Sequence, residues 1–265
     1  MTTKELELKS KWLRKQVLEK VISTKGKGHI GSTYSCVELL VALYYGRLLN
    51  FNSKSPRCED RDRLIIGKGH VCYAVYEILA DLGFFDVSLL NEYGEEGGFF
   101  GVQMNINTPG VEYNTGSLGN AIGIGSGIAL SAKLDNKNFK TIVMVGDGEC
   151  QEDSIWESLV FAGNNKLNNL TVIVDKNRLG VTSEVTDVGN LQDRAISCGW
   201  DSHVIDGHSF SDIFDVFRYS YKELPNFVIA NTVKGKGISF MENNKKWHNS
   251  PISEEEAIIA RQELQ

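Results

Sequence analysis

Two residues with oxygen-bearing side chains, Asp147 and Asn177, each follow the end of a short apolar run. The runs, at residues 141–145 and 170–174, are rich in β-branched residues and are typical of buried strands. The segment between them carries apolar residues at helical spacing, so the stretch predicts one βαβ unit of a parallel sheet. The thirty residues that separate the two side chains are about what such a unit needs.

The chemistry predicted for this pair is the binding of a divalent metal ion and a diphosphate. Because parallel strands end at the same edge of a sheet, Asp147 and Asn177 are expected to converge where open α/β sheets bind ligands. A site with few protein oxygen ligands favours Mg²⁺, because phosphate oxygens and water complete its octahedral coordination. A Gly-Asp-Gly sequence alone would indicate only a turn; the asparagine at βαβ spacing favours the metal site.

Two glycine-flanked histidines lie in loops earlier in the chain. An amphipathic helix over residues 4–23 leads into a glycine-rich loop that holds His29, and a second such loop, at 67–70, holds Lys68 and His70. Imidazole suits proton transfer near neutral pH, so a purely structural role is the less favoured interpretation of these histidines. For Lys68, the alternative is that it is only a solvated charge.

The rest of the chain alternates predicted strands and helices. Ser35 and Glu38 are predicted to form a capping box at the start of a buried helix. A glycine-rich turn from residue 108 runs into a helix of small residues, whose N-terminus could meet an anion. The other predicted elements are strands at 63–66, 201–205 and 227–232, and helices at 71–82, 191–199, 210–221 and 254–263. One α/β domain over residues 1–265, with an extended tail from about residue 234, is the economical interpretation.

The composition argues against several classes of partner. A net charge of −6 without a block of basic residues argues against nucleic acid or an anionic membrane. No apolar run approaches the length of a membrane span, and the N-terminal segment does not resemble a signal peptide, so export is not expected. The five cysteines are odd in number and scattered, which predicts no disulfide framework or zinc knuckle and fits a reducing cytoplasm.

Several loops together resemble one protein family, and they occur in that family's order. They are Gly28-His29, Lys68-Gly69-His70, Pro109-Gly110-Val111-Glu112, Thr115-Gly116-Ser117-Leu118-Gly119, the Asp147 and Asn177 pair, and Ile205-Asp206-Gly207-His208. The chain resembles the N-terminal, diphosphate-binding part of transketolase, a thiamine diphosphate enzyme. Residues 115–119 and Trp247-His248 are most similar to the split transketolases, in which this part is a separate polypeptide. The resemblance implies the thiamine diphosphate-binding α/β fold, a parallel sheet flanked by helices on both faces.

The resemblance also implies roles for individual residues. The implied metal ligands, for Mg²⁺ or for Ca²⁺ or Mn²⁺ in its place, are the side chains of Asp147 and Asn177 and the backbone carbonyl of Leu179. The implied cofactor-binding residues are His70, Gly116, Leu118, Gly148, Asn177 and His248. The implied catalytic residues are His29 and His248, above the thiazolium ring, and Glu152, which would link two cofactor sites across a dimer.

Alternatives exist for some of these residues. Glu152 could be an acid placed at a helix N-terminus, which carboxylates favour. Leu118 could belong to the core. His208 is interpreted as a turn residue at a strand end, and His203 as incidental.

The implied activity is that of a transketolase-like transferase, which moves a two-carbon unit from a ketose or 2-keto acid to a carbonyl acceptor such as a sugar. The family's essential glutamate, which activates the cofactor's pyrimidine, lies in a following domain that this sequence does not contain. The chain is therefore predicted to act only with a C-terminal transketolase-like subunit, in an α2β2 assembly.

One position departs from the family pattern. Transketolases carry a Gly-His-Pro sequence before the Pro-Gly-Val-Glu segment, and counting back from Pro109 places its histidine at Val102. A pocket that hydrogen-bonds a hydroxyl rejects analogues without it, whereas an apolar pocket has no such preference. The donor is therefore open: pyruvate, giving acetyl transfer, and an unusual or deoxy sugar are both consistent with the sequence.

Two other classes are weighed against the transferase. Gly123-x-Gly125-x-Gly127 suggests a nucleotide-binding oxidoreductase, but it lies inside a predicted helix and its spacing does not match the dinucleotide fingerprint. The second class is a non-catalytic subunit that keeps the fold. The retained histidines and the pair of predicted metal ligands count against this class, whereas the histidine replaced by Val102 leaves it open.

Overall fold

Five parallel strands form one sheet in the computed structural model, which describes residues 1–26, 28–181, 183–219 and 223–265. The strands are β1 (Arg63–Ile66), β2 (Thr141–Gly146), β3 (Leu170–Lys176), β4 (Asp201–Asp206) and β5 (Asn226–Asn231), in the spatial order β1-β2-β3-β5-β4. Every pairing in this sheet is parallel. All five carboxyl ends therefore lie along one edge, and the segments that follow them are neighbours in space.

Except for a short helix at residues 30–35, which falls partly on the predicted glycine-rich loop, the helices lie at nearly the positions that the sequence predicts. They are α1 (Thr3–Ser23), α2 (Ile30–Ser35), α3 (Val37–Tyr44), α4 (Cys72–Asp81), α5 (Ala121–Leu134), α6 (Asp153–Asn164), α7 (Leu191–Ser197), α8 (Phe210–Tyr219) and α9 (Glu254–Glu263). The predicted end of the helix at 210–221 falls partly on residues 220–222, which lie outside the described residues. No helix in the described ranges is both long and apolar enough to cross a membrane.

Alternating side chains of the strands give the sheet two apolar faces. In β2, Ile142 and Met144 join the core on one face, while Val143 and Val145 join the core on the other. The first core also takes side chains of α1, α3, α4 and α8, and the second takes those of α5, α6 and α7. The predicted α/β fold, with helices on both faces of a parallel sheet, is confirmed.

The predicted capping box at Ser35 and Glu38 is wrong. Helix α3 begins at Val37, and no side chain caps its N-terminus. The Ser35 hydroxyl instead donates to the buried carboxylate of Asp175, 2.6 Å away. Glu38 forms a bidentate ion pair with Arg14 of α1. Both residues bond to distant parts of the chain, and residue spacing alone does not show such partners.

The C-terminal tail packs against the N-terminal helices rather than extending into solvent. Arg14 of α1 donates from Nε to the carbonyl of Lys236 at 2.8 Å. Trp247 is 1% exposed and belongs to the same core as α1. Because the tail is fixed in this way, the residues it carries hold defined positions at the edge of the sheet.

A pair of helical glycines tests the packing of α6. A Cβ atom on Gly163 of α6 would clash with the carbonyl oxygen of Cys198, whereas a Cβ atom on Gly127 of α5 would meet no atom of the described residues within 4 Å. We expect Gly163→Ala to lower the free energy of unfolding by about 1–3 kcal/mol through overpacking. Gly127→Ala, the matched control, should raise it by about 1 kcal/mol because alanine is the better helix former. Urea denaturation measures both, and equal effects would contradict this account of the packing.

Candidate functional site

Asp147 and Asn177 meet at one turn, as the βαβ spacing predicts. Asp147 follows β2, and its carboxylate accepts hydrogen bonds from the backbone N–H groups of Gly148 at 2.9 Å and Arg178 at 2.5 Å. Asn177 follows β3, and its Oδ1 accepts from the N–H of Leu179 at 3.1 Å. Both side chains are buried. The three predicted metal ligands thus lie on two touching segments.

The oxygen donors of this turn are suited to a cation. Burial raises the pKa of Asp147, against the hydrogen bond from Arg178 that lowers it. The Leu179 carbonyl already accepts a hydrogen bond from the ammonium group of Lys234, at 2.8 Å. Within the described part of the chain, no three His, Cys, Asp or Glu side chains converge as a metal cage. One carboxylate, one amide and one carbonyl form the sparse, oxygen-rich set that Mg²⁺ uses together with phosphate.

Three histidines from distant parts of the sequence form a cluster. The ring centroids of His29 and His70 are 5.0 Å apart, those of His29 and His248 are 5.3 Å apart, and those of His70 and His248 are 5.6 Å apart. His29 stands directly before α2, His70 follows β1, and His248 lies in the tail. The structure therefore brings together the three histidines that the sequence analysis selects.

The histidines of the cluster are held in the neutral form. Burial lowers the pKa of His248 to about 3, and the nearby ammonium group of Lys234 acts in the same direction. Burial lowers the pKa of His29 and takes that of His70 well below the ordinary value of 6.5. At pH 7 these imidazoles can each accept one hydrogen bond and donate another. The Nδ1 atom of His29 is buried and has no partner among the described residues.

Lys234 belongs to the candidate site by its contacts, and the sequence analysis missed it. Its side chain is fully buried, and its ammonium group lies 2.7 Å from Nδ1 of His248. It also donates to the carbonyls of Leu179 and Gly180, and burial lowers its pKa to about 8. Lys234 therefore joins the histidine cluster to the predicted metal turn. Its position beside a glycine, like that of Lys68, was the available signal.

Lys68 is buried, which rules out the alternative that it is only a solvated charge. It is 2% exposed and forms an ion pair with Asp175, the last residue but one of β3. Its ammonium group also donates to the carbonyl of Ser32 at 3.0 Å. Burial opposes the charge of Lys68, but the Asp175 carboxylate raises its pKa overall. The ion pair therefore joins the His70 loop to the end of β3, next to Asn177.

The residues predicted to face the cofactor rings lie on open backbone. Gly116 has φ of +128°, in the region that favours glycine, and among the described residues a Cβ atom there would touch only Gln103. A Cβ atom on Gly148 would have only Val185 within 4 Å in the described part of the chain, so a ligand can approach that backbone closely. Leu118 is 41% exposed, which rules out the alternative that it belongs to the core.

Glu152 lies at the start of α6 and is exposed. It forms no side-chain capping bond with that helix. A Cβ atom on Gly119 would come within 2.7 Å of the Glu152 side chain, so that side chain lies beside the predicted ring-binding loop. Its role between two cofactor sites stays a prediction.

Two cavities differ in their relation to this site. One, of about 350 Å³, opens beside Asp147 and is lined by Lys176 and Arg178 among others. A larger one, of about 1080 Å³, is lined by Tyr45, Arg47 and Phe139 among others, and contains none of the predicted site residues. The smaller cavity is therefore assigned to the candidate site because Asp147 lines it, although its volume is the lower of the two.

Comparison with known proteins identifies the family. The family model described as transketolase, thiamine diphosphate binding domain, matches residues 10–265. One of the subunits of the apulose-4-phosphate transketolase of Phocaeicola vulgatus is 39% identical over 97% of this chain and 94% of its own length. The 6-deoxy-6-sulfo-D-fructose transketolase subunit SqwG of a Clostridium species is 34% identical over 98% of this chain and 96% of its own length. The chain belongs to the transketolase family, as a thiamine diphosphate-binding domain.

Solved structures agree with this assignment. Transketolase from Campylobacter jejuni superposes with a TM-score of 0.92 at 28% identity, over 100% of this chain and 43% of that one. The chain also covers 39% of the transketolase of Mus musculus, at 33% identity. It therefore spans about two-fifths of the single-chain transketolases and nearly all of the two named subunits. The predicted likeness to a subunit of a split transketolase is confirmed.

The buried ion pair gives a direct test of how the site is supported. We expect Lys68→Met to lower the free energy of unfolding by about 3–5 kcal/mol, because it leaves the Asp175 carboxylate buried without its cation. Lys137→Met is the control, since Lys137 pairs with Glu59 on the exposed surface, and it should leave the denaturation midpoint nearly unchanged. A Lys68 variant as stable as the Lys137 variant would show that the buried pair does not support the site.

Proposed function

We propose that this chain is the cofactor-binding subunit of a two-polypeptide transketolase, and that it binds thiamine diphosphate through a divalent metal ion. The observation that carries the proposal is the contact of Lys234 with both His248 and the Leu179 carbonyl, because it joins the histidine cluster to the predicted metal turn. Bound thiamine diphosphate supplies the nucleophile and the electron sink for breaking and making a carbon–carbon bond.

The residues present fit such a cofactor. The carboxylate of Asp147, the amide of Asn177 and the carbonyl of Leu179 would hold Mg²⁺, or Ca²⁺ or Mn²⁺ in its place. A metal ion beside Asp147 would offset the cost of burying its charge. The open backbone at Gly148 would lie against the diphosphate, which suits backbone amides as anion ligands. His70, next to this region, would donate to a phosphate oxygen.

The histidine cluster would handle the protons and hydroxyl groups of the substrate. Neutral imidazoles can accept a proton from a hydroxyl group and return it to a carbonyl oxygen. His29 and His248 are held neutral because burial and the charge of Lys234 lower the pKa of each, so both are available as acceptors at pH 7. The orphaned Nδ1 of His29 is a hydrogen-bonding position in the site that a substrate group would fill.

The substrates proposed are a ketose phosphate donor and an aldehyde acceptor, with transfer of a two-carbon ketol unit. The two similar subunits are named for transketolases of apulose 4-phosphate and of 6-deoxy-6-sulfo-D-fructose, so a modified sugar is a reasonable donor class. Pyruvate, with transfer of an acetyl unit, remains the second candidate because Val102 is apolar and 43% exposed in the loop beside the site. The cytoplasmic location also stays a prediction.

The partner proposed is a subunit that carries the pyrimidine-binding and C-terminal domains, in an α2β2 assembly. The related proteins are named as subunits, and about three-fifths of a single-chain transketolase lies beyond the region that this chain matches. Large apolar side chains are also exposed on the loops around the site, at Phe99, Val102, Ile106 and Leu118. A partner subunit would cover such a surface.

The metal ligands can be tested by calorimetry. We expect Asp147→Asn to weaken thiamine diphosphate binding by at least about 100-fold in the presence of Mg²⁺, because substitutions even in the shell around a metal's ligands cost 10–100-fold. Asp201→Asn, which removes an exposed carboxylate at the opposite end of the sheet, should bind as tightly as the wild type. Equal affinity of the Asp147 variant would remove this residue from the metal site.

The dependence on a partner can be tested by assay. We expect the purified chain alone to show no transfer from xylulose 5-phosphate to an aldehyde acceptor, and activity to appear once the second subunit is added. The same assay with pyruvate separates the two donor classes. Turnover by the isolated chain would contradict the need for a partner, and a clear preference for pyruvate would replace ketol transfer by acetyl transfer.

A further inference from the structure

The carboxamide of Gln103 lies between two glycines of the candidate site. A Cβ atom on Gly69, the residue before His70, would come within 2.5 Å of the Gln103 Oε1 atom. A Cβ atom on Gly116 would lie 3.7 Å from Cγ and 3.9 Å from Cδ of the same side chain. Gln103 therefore lies against both the turn that holds His70 and the loop predicted to face the cofactor rings.

Hydrogen bonds fix the backbone at Gln103 and at the residue that follows it. The hydroxyl of Tyr76 donates to the Gln103 carbonyl at 2.9 Å. The N–H of Met104 donates to the Thr115 hydroxyl at 3.0 Å, and the N–H of Thr115 donates to the Met104 carbonyl at 3.1 Å. The segment around Gln103 is thus joined to the loop before Gly116. These bonds hold the Gln103 side chain in place beside the site.

The Gln103 Oε1 atom is buried and has no hydrogen-bond partner among the residues that the structure describes. An unpaired buried carbonyl oxygen is costly, and native proteins keep few of them. Such an atom within a candidate site indicates that a bound molecule completes the hydrogen bonding of the carboxamide. A carboxamide offers two N–H donors and one acceptor, which complements a hydroxyl group.

We propose that Gln103 recognises the hydroxyl group on the carbon next to the donor's ketone. The side chain of Val102, the residue before it, is 43% exposed and cannot form hydrogen bonds. Gln103 supplies a polar side chain from the adjacent position. This rests on the proposed transketolase function and refines it, because a residue that bonds this hydroxyl selects a ketol donor over pyruvate. Gln103 is accordingly a specificity-determining residue.

The test uses the complete two-subunit enzyme with hydroxypyruvate, which carries the hydroxyl group in question. We expect Gln103→Met, which keeps the length but removes the hydrogen bonds, to lower kcat/KM about 10- to 100-fold, as loss of a buried hydrogen bond does. Gln103→His should recover part of the loss, since imidazole also bonds a hydroxyl. Gln16→Met, the same change at a half-buried position on α1, should have no effect. The affinity for thiamine diphosphate should be unchanged in all three variants.

Three results would overturn the assignment. A kcat/KM within twofold of the wild type in Gln103→Met would show that no substrate hydroxyl is bound there. A loss matched by an equal loss of thiamine diphosphate affinity would assign Gln103 to the cofactor instead. A wild-type enzyme that binds the cofactor but accepts no ketol donor would contradict the proposed function itself, and the Gln103 assignment with it.

Discussion

The buried carboxylate of Asp175 is the interaction on which the site depends. It is fully buried near the end of the central strand β3, where it binds Lys68, Ser35 and Thr232. These partners belong to the His70 loop, to the helix that begins after His29, and to the start of the tail that carries Lys234. One carboxylate therefore ties together the segments that hold the candidate site. Its charge is tolerated because a cation and two hydroxyl groups satisfy it.

The charged groups of the site are arranged around the buried Asp175 carboxylate. Burial lowers the pKa of the three neighbouring histidines, and two buried lysines act in the same direction. Lys234 lowers the pKa of all three, and Lys68 lowers that of His70 and His248. Lys68 is paired with Asp175, so Lys234 is the buried lysine whose charge suits a negatively charged ligand such as a diphosphate. The buried Asp147 carboxylate stands where a metal ion would join the protein to that ligand. In the proposed function, His29 and His248 would serve the substrate, and the charge of Lys234 would serve the diphosphate.

Sequence patterns predicted the elements better than the contacts between them. The alternation of residues in β2 and β3, and the helical spacing between them, are local properties, so the βαβ unit and the meeting of Asp147 with Asn177 followed directly. The buried pair of Lys68 and Asp175 could not be predicted in this way, because its two residues are 107 positions apart and lysine is usually solvated. Lys234 was missed for the same reason, since its burial depends on how the tail folds back. At Ser35 the sequence matches a capping pattern, but the hydroxyl donates to the buried Asp175 carboxylate instead of capping a helix.

Anomalous diffraction of Mn²⁺, in crystals of the two-subunit enzyme grown with thiamine diphosphate, would locate the metal ion. We expect one Mn²⁺ bound at about 2.0–2.5 Å to the Asp147 carboxylate, the Asn177 amide oxygen and the Leu179 carbonyl, with diphosphate oxygens and water on its remaining positions. A metal ion bound elsewhere, or a diphosphate held without a metal ion on these three residues, would contradict the proposed site.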